Sequence, residues 1–109
     1  MKVKAKIWVE KGGRPVFGDG RCELLKAIRA EGSINRGAKK IWMAYKQAWD
    51  EVDVMERRLG VKLLRRRVGG KKGGGVELTE DALNLMAKYE RFRCAATSAI
   101  DAEFRKAFK

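Results

Sequence analysis

The sequence has no histidine, one proline and only two cysteines among 109 residues. The lack of histidine removes the commonest general base and the commonest transition-metal ligand. Cys22 and Cys94 lie far apart without metal-site spacing, so we interpret both as small, semi-buried, reduced side chains; a redox or metal-sensing role is the alternative. No paired-carboxylate or nucleophile motif can be placed either. We therefore expect no enzymatic activity, no metal site and no cofactor.

Long apolar segments are also missing. No run approaches the roughly 18 residues of a membrane-spanning helix. The first six residues alternate between apolar and lysine, unlike the apolar block of a signal peptide. We therefore expect a cytoplasmic protein that does not span a membrane. A chain of this length supports one domain, covering residues 1–109, with a modest core.

Acidic residues are scarce relative to basic ones. The chain carries 26 Lys and Arg against 14 Asp and Glu, a formal net charge of +12. Such a balance predicts an anionic partner. The charge by itself does not choose between DNA, RNA and an anionic membrane surface.

Glycine is concentrated between Gly69 and Gly75, where five of seven residues are glycine and the other two are Lys71 and Lys72. The flanking segments alternate like short strands, which predicts a β-hairpin over about 62–78 with a flexible tip. From Arg57 to Lys72 there are eight basic residues and no acidic one. The run lacks the Gly-Lys-Ser/Thr ending of a nucleotide-binding loop. A cationic hairpin that follows two helices is typical of the wing of a winged-helix protein.

The remaining pattern is mainly helical. Alternation over residues 2–9 predicts a strand, and Val16 and Phe17 a short return strand. Helices are predicted over about 20–31, 34–40, 44–59 and 79–108, with Asp19, Ser33 and Thr79 as N-caps. The second and third form a helix-turn-helix pattern. The fold class is therefore mainly α with a small β component: a winged helix-turn-helix (1–78) with an N-terminal strand or hairpin and a long C-terminal helix.

The helix over 44–59 has an apolar stripe that includes Tyr45 and Trp49, which we assign to the core in preference to base stacking. The long helix over 79–108 has more apolar positions than a small domain can cover. A second copy of the same helix would cover them, which predicts a homodimer. The dimerisation residues are Met86, Tyr89, Phe92, Ala96, Ile100 and Phe104.

Several segments together resemble the N-terminal DNA-binding domain of the ModE family of molybdate-responsive regulators. They are Gly32-Ser33-Ile34, Gly37-Ala38-Lys39, Tyr45-Lys46, Ala48-Trp49, Leu59-Gly60-Val61, the glycine-rich wing and Leu78-Thr79. The resemblance implies a LysR-like winged helix that binds DNA as a dimer. The molybdate-binding domains that follow in the family lie beyond Lys109, so we do not expect this chain to bind molybdate.

Two positions depart from the family pattern. The family usually has glycine in the helix-turn-helix connection and serine at the cap of the recognition helix, where this chain has Trp42 and Ala44. Losing a serine cap typically costs about 1 kcal/mol. Trp42 can pack on the core or lie against DNA, and we assign it to the core.

These patterns predict a sequence-specific transcriptional regulator that binds double-stranded DNA as a homodimer. The recognition helix would enter the major groove, and the wing would contact the backbone or minor groove. The predicted DNA-binding residues are Ser33, Arg36, Ala44, Tyr45, Lys46, Gln47, Asp50, Arg65, Arg66, Arg67, Lys71 and Lys72. The alternative is an architectural, weakly sequence-specific DNA-coating protein. RNA binding is disfavoured because no RNA-binding motif is visible.

Overall fold

The computed structural model describes residues 1–68 and 75–109 of the chain. Within them, two antiparallel two-stranded sheets accompany four helices. The elements are β1 (Trp8–Lys11), β2 (Arg14–Gly18), α1 (Asp19–Glu31), α2 (Ile34–Lys40), α3 (Tyr45–Leu59), β3 (Leu64–Arg67), β4 (Gly75–Leu78) and α4 (Glu80–Ala107). The predicted fold class, mainly helical with a small β component and a long C-terminal helix, is confirmed.

The N-terminal hairpin is shorter than predicted. β1 begins at Trp8 and pairs with β2 through a turn at Gly12 and Gly13, both with positive φ. The prediction of a strand over residues 2–9 is wrong, because the five-residue β2 offers a partner only to residues 8–11. The Pro15 carbonyl accepts hydrogen bonds from Arg21 Nη1 (2.9 Å) and Arg58 Nη1 (2.6 Å), which hold the hairpin against α1 and α3.

The start of α1 differs from the prediction in its cap. Gly18 is the N-cap residue and makes no side-chain cap, while Asp19 is already the first helical residue. The Asp19 carboxylate instead accepts hydrogen bonds from the Tyr89 hydroxyl (2.5 Å) and from Arg93 Nε (2.7 Å) on α4. The side chain therefore joins the first and last helices. Gly32 ends α1 in the left-handed conformation, as expected for a glycine beyond a helix.

The two motif helices have the predicted bounds to within one residue. Ser33 Oγ accepts a hydrogen bond from the backbone N–H of Arg36, which confirms its capping role. α2 ends at Lys40, and a tight turn leads to α3, which Gly60 closes with φ 72°. The largest fully buried side chains come from β2, α1, α3 and the segment before β3; they are Phe17, Leu24, Leu25, Ile28, Met55 and Leu63.

Helix α4 is only partly covered by the core. Thr79 caps it by accepting from the Ala82 N–H (3.2 Å) and also donates to the Lys62 carbonyl (2.7 Å), so the cap is tied to the base of the wing. Met86 and Tyr89 are buried inside the protomer, where the Tyr89 ring makes an edge contact with Phe17. The prediction that these two residues serve dimerisation is wrong, because the chain's own core already covers them.

Beyond Tyr89 the helix leaves the core. Phe92 is 53 % exposed, and Ala96, Ile100 and Phe104 are partly exposed. At the end of the helix the Phe104 and Phe108 rings stack with centroids 4.7 Å apart. Four of the six predicted dimerisation residues thus remain available to a partner. Within the described ranges, no helix is both long and apolar enough to cross a membrane.

Candidate nucleic-acid interface

A groove of about 500 Å³ lies between the start of α2, the start of α3 and the wing. Its walls come from three separate segments, and four predicted DNA-binding residues, Ser33, Arg36, Tyr45 and Arg66, meet there. The other lining residues are Ile34, Asn35, Trp49, Gly75 and Val76. The fold therefore brings polar and cationic groups from both motif helices and from the wing to one surface.

The wing is fixed to the α1–α2 junction by backbone contacts. The Val76 N–H donates to the Gly32 carbonyl at 3.0 Å. A Cβ atom at position 75 would lie only 2.5 Å from that same carbonyl oxygen, so the approach requires glycine. The Arg67 guanidinium lies over both glycines, with Nη2 3.1 Å from where a Cβ would stand on either. Arg67 was predicted to contact DNA. Its guanidinium lies where the wing packs against the α1–α2 junction.

Ser33 and Arg36 already have structural roles at this junction. Ser33 caps α2, and Arg36 Nη2 donates to the Glu31 carbonyl at 2.8 Å, near the C-terminal end of α1. A guanidinium has five N–H donors, so this bond leaves others free to bind a phosphate. The Ser33 hydroxyl retains its own proton as a donor.

The polar face of α3 is internally paired. Lys46 Nζ lies 3.0 Å from Asp50 Oδ2, and Gln47 Nε2 lies 3.0 Å from Glu51 Oε2, each four residues along the helix. Such exposed i,i+4 pairs contribute only about 0.3–0.5 kcal/mol. Lys46, Gln47 and Asp50 can therefore exchange these partners for base edges or phosphates at little cost.

Tyr45 and Trp49 are not core residues. They are 51 % and 50 % exposed, and both line the groove. The buried positions of α3 are Ala48, Val52 and Met55, so the stripe that meets the core is narrower than the apolar periodicity suggested. The assignment of Tyr45 and Trp49 to the core is wrong for this reason. Their aromatic rings lie instead at the side of the candidate interface.

The turn before α3 contains the two departures from the family pattern. Trp42 is 96 % exposed and has φ 60°, so its assignment to the core is also wrong. Ala44 stands at the N-cap of α3 and, as expected from its side chain, provides no capping hydrogen bond. This end of α3 presents backbone N–H groups that lack the usual side-chain cap.

The arginines of β3 differ in their partners. Arg65 Nε lies 2.8 Å from Glu77 Oε1 across the hairpin, where the two residues are paired in register. Arg66 lines the groove, as described above. Lys71 and Lys72, also predicted to bind DNA, lie outside the described residues. Among the three arginines, Arg66 is therefore the one that faces the start of both motif helices.

One residue with an important role was missed by the sequence analysis. Glu56 Oε2 accepts from the backbone N–H groups of Leu63 (2.8 Å) and Leu64 (3.3 Å), and its side chain is largely buried. The carboxylate thereby attaches the first strand of the wing to α3. The sequence held little signal for this contact, because Glu56 belongs to a helix rich in charged residues.

The Asp19–Tyr89–Arg93 cluster lies away from the groove. The hydrogen bond from Tyr89, with the bond and charge of Arg93, lowers the pKa of Asp19 despite some desolvation. Burial and the neighbouring Asp19 raise the pKa of Tyr89 to about 12.

Cys22 is buried, which raises its thiol pKa, whereas Cys94 is exposed. The interpretation of both cysteines as semi-buried is therefore wrong for Cys94, which lies on the part of α4 beyond the core.

Two helices joined by a tight turn, with a hairpin packed beside the second helix, define a winged helix-turn-helix fold. A solved structure with the same fold is that of the CbnR DNA-binding domain in complex with DNA. It superposes with a TM-score of 0.61 at 20 % identity, over 81 % of this chain and 95 % of that chain.

The sequence model of the family "Bacterial regulatory helix-turn-helix protein, lysR family" matches residues 20–83. The chain belongs to this family.

Curated relatives confirm the resemblance to ModE. The chain is 42 % identical over 83 residues to the molybdenum transport protein ModE of Azotobacter vinelandii, covering 76 % of this chain and 31 % of that protein. It is 44 % identical over 70 residues to the transcriptional regulator ModE of Haemophilus influenzae, covering 64 % of this chain and 28 % of that protein. The chain thus spans less than a third of the length of these two relatives.

Proposed function

We propose that this chain is a sequence-specific DNA-binding unit of a transcriptional regulator. The observation that carries the proposal is the convergence of α2, α3 and the wing on one cationic groove, with predicted DNA-binding residues from all three. Membership of the lysR family of regulatory helix-turn-helix proteins supports it. The names of its relatives and the DNA complex of the structural neighbour agree with this function.

In this proposal the start of α3 enters the major groove. Lys46 suits the acceptor edge of guanine, Gln47 the edge of adenine, and Asp50 the amino group of cytosine. Tyr45 and the backbone of Ala44 lie at the same end of the helix. Ser33, Arg36 and the wing arginines bind phosphates on either side, and Lys71 and Lys72 extend this cationic surface along the backbone or into the minor groove.

We further propose that two copies pair through the part of α4 beyond the core. Phe92, Ala96, Ile100 and Phe104 recur at a spacing of four residues and are at least partly exposed. Pairing this stripe with a second copy would remove it from water, and two-fold pairing would present two recognition helices to a symmetric site. Residues 1–109 would then form one domain in each copy of a homodimer, and the part of the 79–108 helix beyond Tyr89 would be the dimerisation segment.

One observation favours the alternative of an architectural DNA-coating protein. Lys46 and Gln47 are both held by carboxylates of their own helix, whereas Arg66 of the wing lines the groove beside Ser33 and Arg36. An interface dominated by phosphate contacts binds with little sequence preference. The two functions share the same surface and differ in whether bases are read.

The molybdenum-related names of the relatives do not extend to a ligand of this chain in our proposal. The matched region is 83 residues long and is about 31 % of the Azotobacter vinelandii protein. We propose that this region binds DNA in the cytoplasm, in association with the nucleoid, and that molybdate is not its ligand.

The decisive experiment is a titration of the purified protein against its own upstream DNA and a scrambled duplex, at about 0.2 M salt to suppress purely ionic binding. A preference of about a thousandfold, with two protomers bound per site, is the result expected of a dimeric regulator. Tight but equal binding to both duplexes would leave two options, the architectural role or a regulator whose target site lies elsewhere. A lack of binding to either would overturn the proposed function.

A further inference from the structure

Trp42 combines two unfavourable features. Its side chain is 96 % exposed. It is also the one residue with positive φ among the non-glycine residues that the structure describes. Bulky residues rarely adopt the left-handed conformation, which glycine adopts without strain. Within residues 1–68 and 75–109, nothing compensates for this, since the indole is almost fully exposed and packs against no part of the core. Strained residues of this kind concentrate at functional sites.

The turn itself is firmly fixed by its backbone. The Trp42 N–H donates to the Lys39 carbonyl at 3.1 Å, and the next N–H, that of Met43, donates to the Ala38 carbonyl at 2.8 Å. Ile41 and Met43 on either side pack against the core. The indole is therefore held outward on a rigid turn, two residues before the N-cap of α3. A rigid, exposed aromatic side chain loses little conformational freedom when it binds a partner.

The surroundings of Trp42 select an anionic partner. Between Ser33 and Trp49 the chain has four basic residues and no acidic one. Lys39 and Lys40 precede the turn, Lys46 follows it, and all three side chains are exposed. Lys40 and Lys46 have solvent-accessible carboxylate partners in Glu31 (3.6 Å) and Asp50 (3.0 Å), which contribute little and can be exchanged for phosphates. An apolar ring among cations suits a polymer that combines negative charges with apolar surface, as the sugar–phosphate backbone of DNA does.

The width of the major groove determines which part of DNA Trp42 can reach. An α-helix with its side chains is about 10–12 Å across, and the groove is about 12 Å wide. A recognition helix therefore fills the groove, and the turn that precedes it lies at the rim, where a sugar–phosphate strand runs. We propose that Trp42 packs its indole face on a deoxyribose at this rim and donates its Nε1–H to a phosphate oxygen. This inference rests on the proposed function of the chain.

The contact has distinctive energetics. It reads no base, so it strengthens binding to every sequence equally. It also adds no charge, so it leaves the salt dependence of binding unchanged, unlike a lysine or arginine that neutralises a phosphate. In addition, the left-handed conformation means that Trp42→Gly removes the side chain without straining the turn. This substitution should therefore lower the affinity for DNA without lowering the stability of the fold.

The test compares Trp42→Gly and Trp42→Phe with Trp8→Phe, a control at the half-exposed Trp8 of β1. We expect Trp42→Gly to weaken binding about tenfold on cognate and scrambled DNA alike, the size of one lost hydrogen bond with its contacts. Its salt slope should be unchanged and its thermal midpoint should not fall. Trp42→Phe, which retains the ring face, should lie in between, and Trp8→Phe should bind like the wild type.

A second measurement locates the side chain directly. In the double variant Trp8→Phe/Trp49→Phe, Trp42 is the sole tryptophan. Because Trp49 lines the groove, DNA binding by this variant is first measured by the anisotropy of a labelled duplex, and DNA at the saturation so established should sharply reduce quenching of Trp42 fluorescence by acrylamide. Quenching that is unchanged by DNA, or wild-type affinity of Trp42→Gly, would overturn the inference. Loss of dimers in Trp42→Gly would instead assign Trp42 to a protein contact. If the wild-type protein binds no DNA, the proposed function itself fails.

Discussion

The close approach of Gly75 to Gly32 can be tested by one added methyl group. Gly75 does not have a positive φ, so alanine can adopt its backbone conformation without strain. The new Cβ, however, would lie 2.5 Å from the Gly32 carbonyl oxygen and 3.1 Å from Arg67 Nη2. The carbonyl is backbone at the C-cap of α1 and cannot move as a flexible side chain could. Gly75→Ala should therefore push the wing away from the α1–α2 junction.

The expected cost follows from three effects. Overpacking at a tight contact costs about 1–3 kcal/mol. Loss of the adjacent hydrogen bond from the Val76 N–H to the Gly32 carbonyl costs about 0.5–1.5 kcal/mol. Alanine returns about 0.4–1 kcal/mol by restricting the unfolded chain. Gly75→Ala should therefore lower the free energy of unfolding by about 1–3 kcal/mol, which lowers the thermal midpoint by about 5–15 °C for a domain of this size.

Gly20→Ala is the matched control. Gly20 lies in the first turn of α1 with no atom within 4 Å of where its Cβ would stand. Replacing a helical glycine by alanine raises the free energy of unfolding by up to about 1 kcal/mol. The two variants should thus shift the unfolding midpoint in opposite directions. Thermal and urea denaturation, followed by circular dichroism at one protein concentration, measure this shift. A Gly75→Ala protein as stable as the wild type would show that the wing does not need this contact.

Three further predictions concern the interface, the dimer and the polar cluster. Gln47→Ala should weaken binding at one base pair of the cognate site, whereas Arg66→Ala should weaken it on all DNA and reduce the salt slope by about one; equal loss on cognate and scrambled duplexes from Gln47→Ala would refute base reading. Phe92→Glu should preserve the helical circular dichroism but weaken self-association at least about tenfold in analytical ultracentrifugation, and an unchanged association would exclude this face. Tyr89→Phe should lower the free energy of unfolding by about 1–2 kcal/mol at neutral pH. The folded pKa of Asp19 is lowered, so its stabilisation is present above about pH 4 and is lost as the pH falls through the folded pKa; urea titrations should show a smaller acid loss for Tyr89→Phe, and an identical loss would contradict this role of the pair.

The helices could be predicted from the sequence because their ends carry local signals. Ser33 and Thr79 accept the hydrogen bonds expected of N-caps, and Gly32 and Gly60 end helices with positive φ. These interactions involve residues within a few positions of each other, so a single sequence specifies them. The position of the wing along the chain could be predicted for a similar reason, because alternating segments flank the glycine run. The fold therefore followed largely from local chemistry.

The errors concern contacts between distant segments. The helical periodicity showed that Trp49 and Met86 lie on apolar stripes. It could not show that α2 and the wing leave Trp49 half exposed. Nor could it show that β2 and α1 cover the region around Met86. Asp19 was expected to cap its own helix, yet its partner is Tyr89, seventy positions away. Glu56 bonds the wing strand only seven and eight positions further along the chain, but the contact crosses the end of α3 and matches no cap or hairpin pattern. Such pairings depend on the packing of the whole domain.

The continuity of α4 has a mechanical consequence. Its 28 residues run without interruption from the base of the wing to Ala107, a length of about 42 Å at 1.5 Å per residue. The winged helix is therefore attached at the N-terminal end of a long, rigid helix, and the end near Ala107 is its far end. A tilt of about 10° at the far end displaces the other end by about 7 Å, roughly two base-pair steps of DNA. In the proposed dimer, small changes where the two α4 helices meet would thus alter which spacing of half-sites the pair can reach.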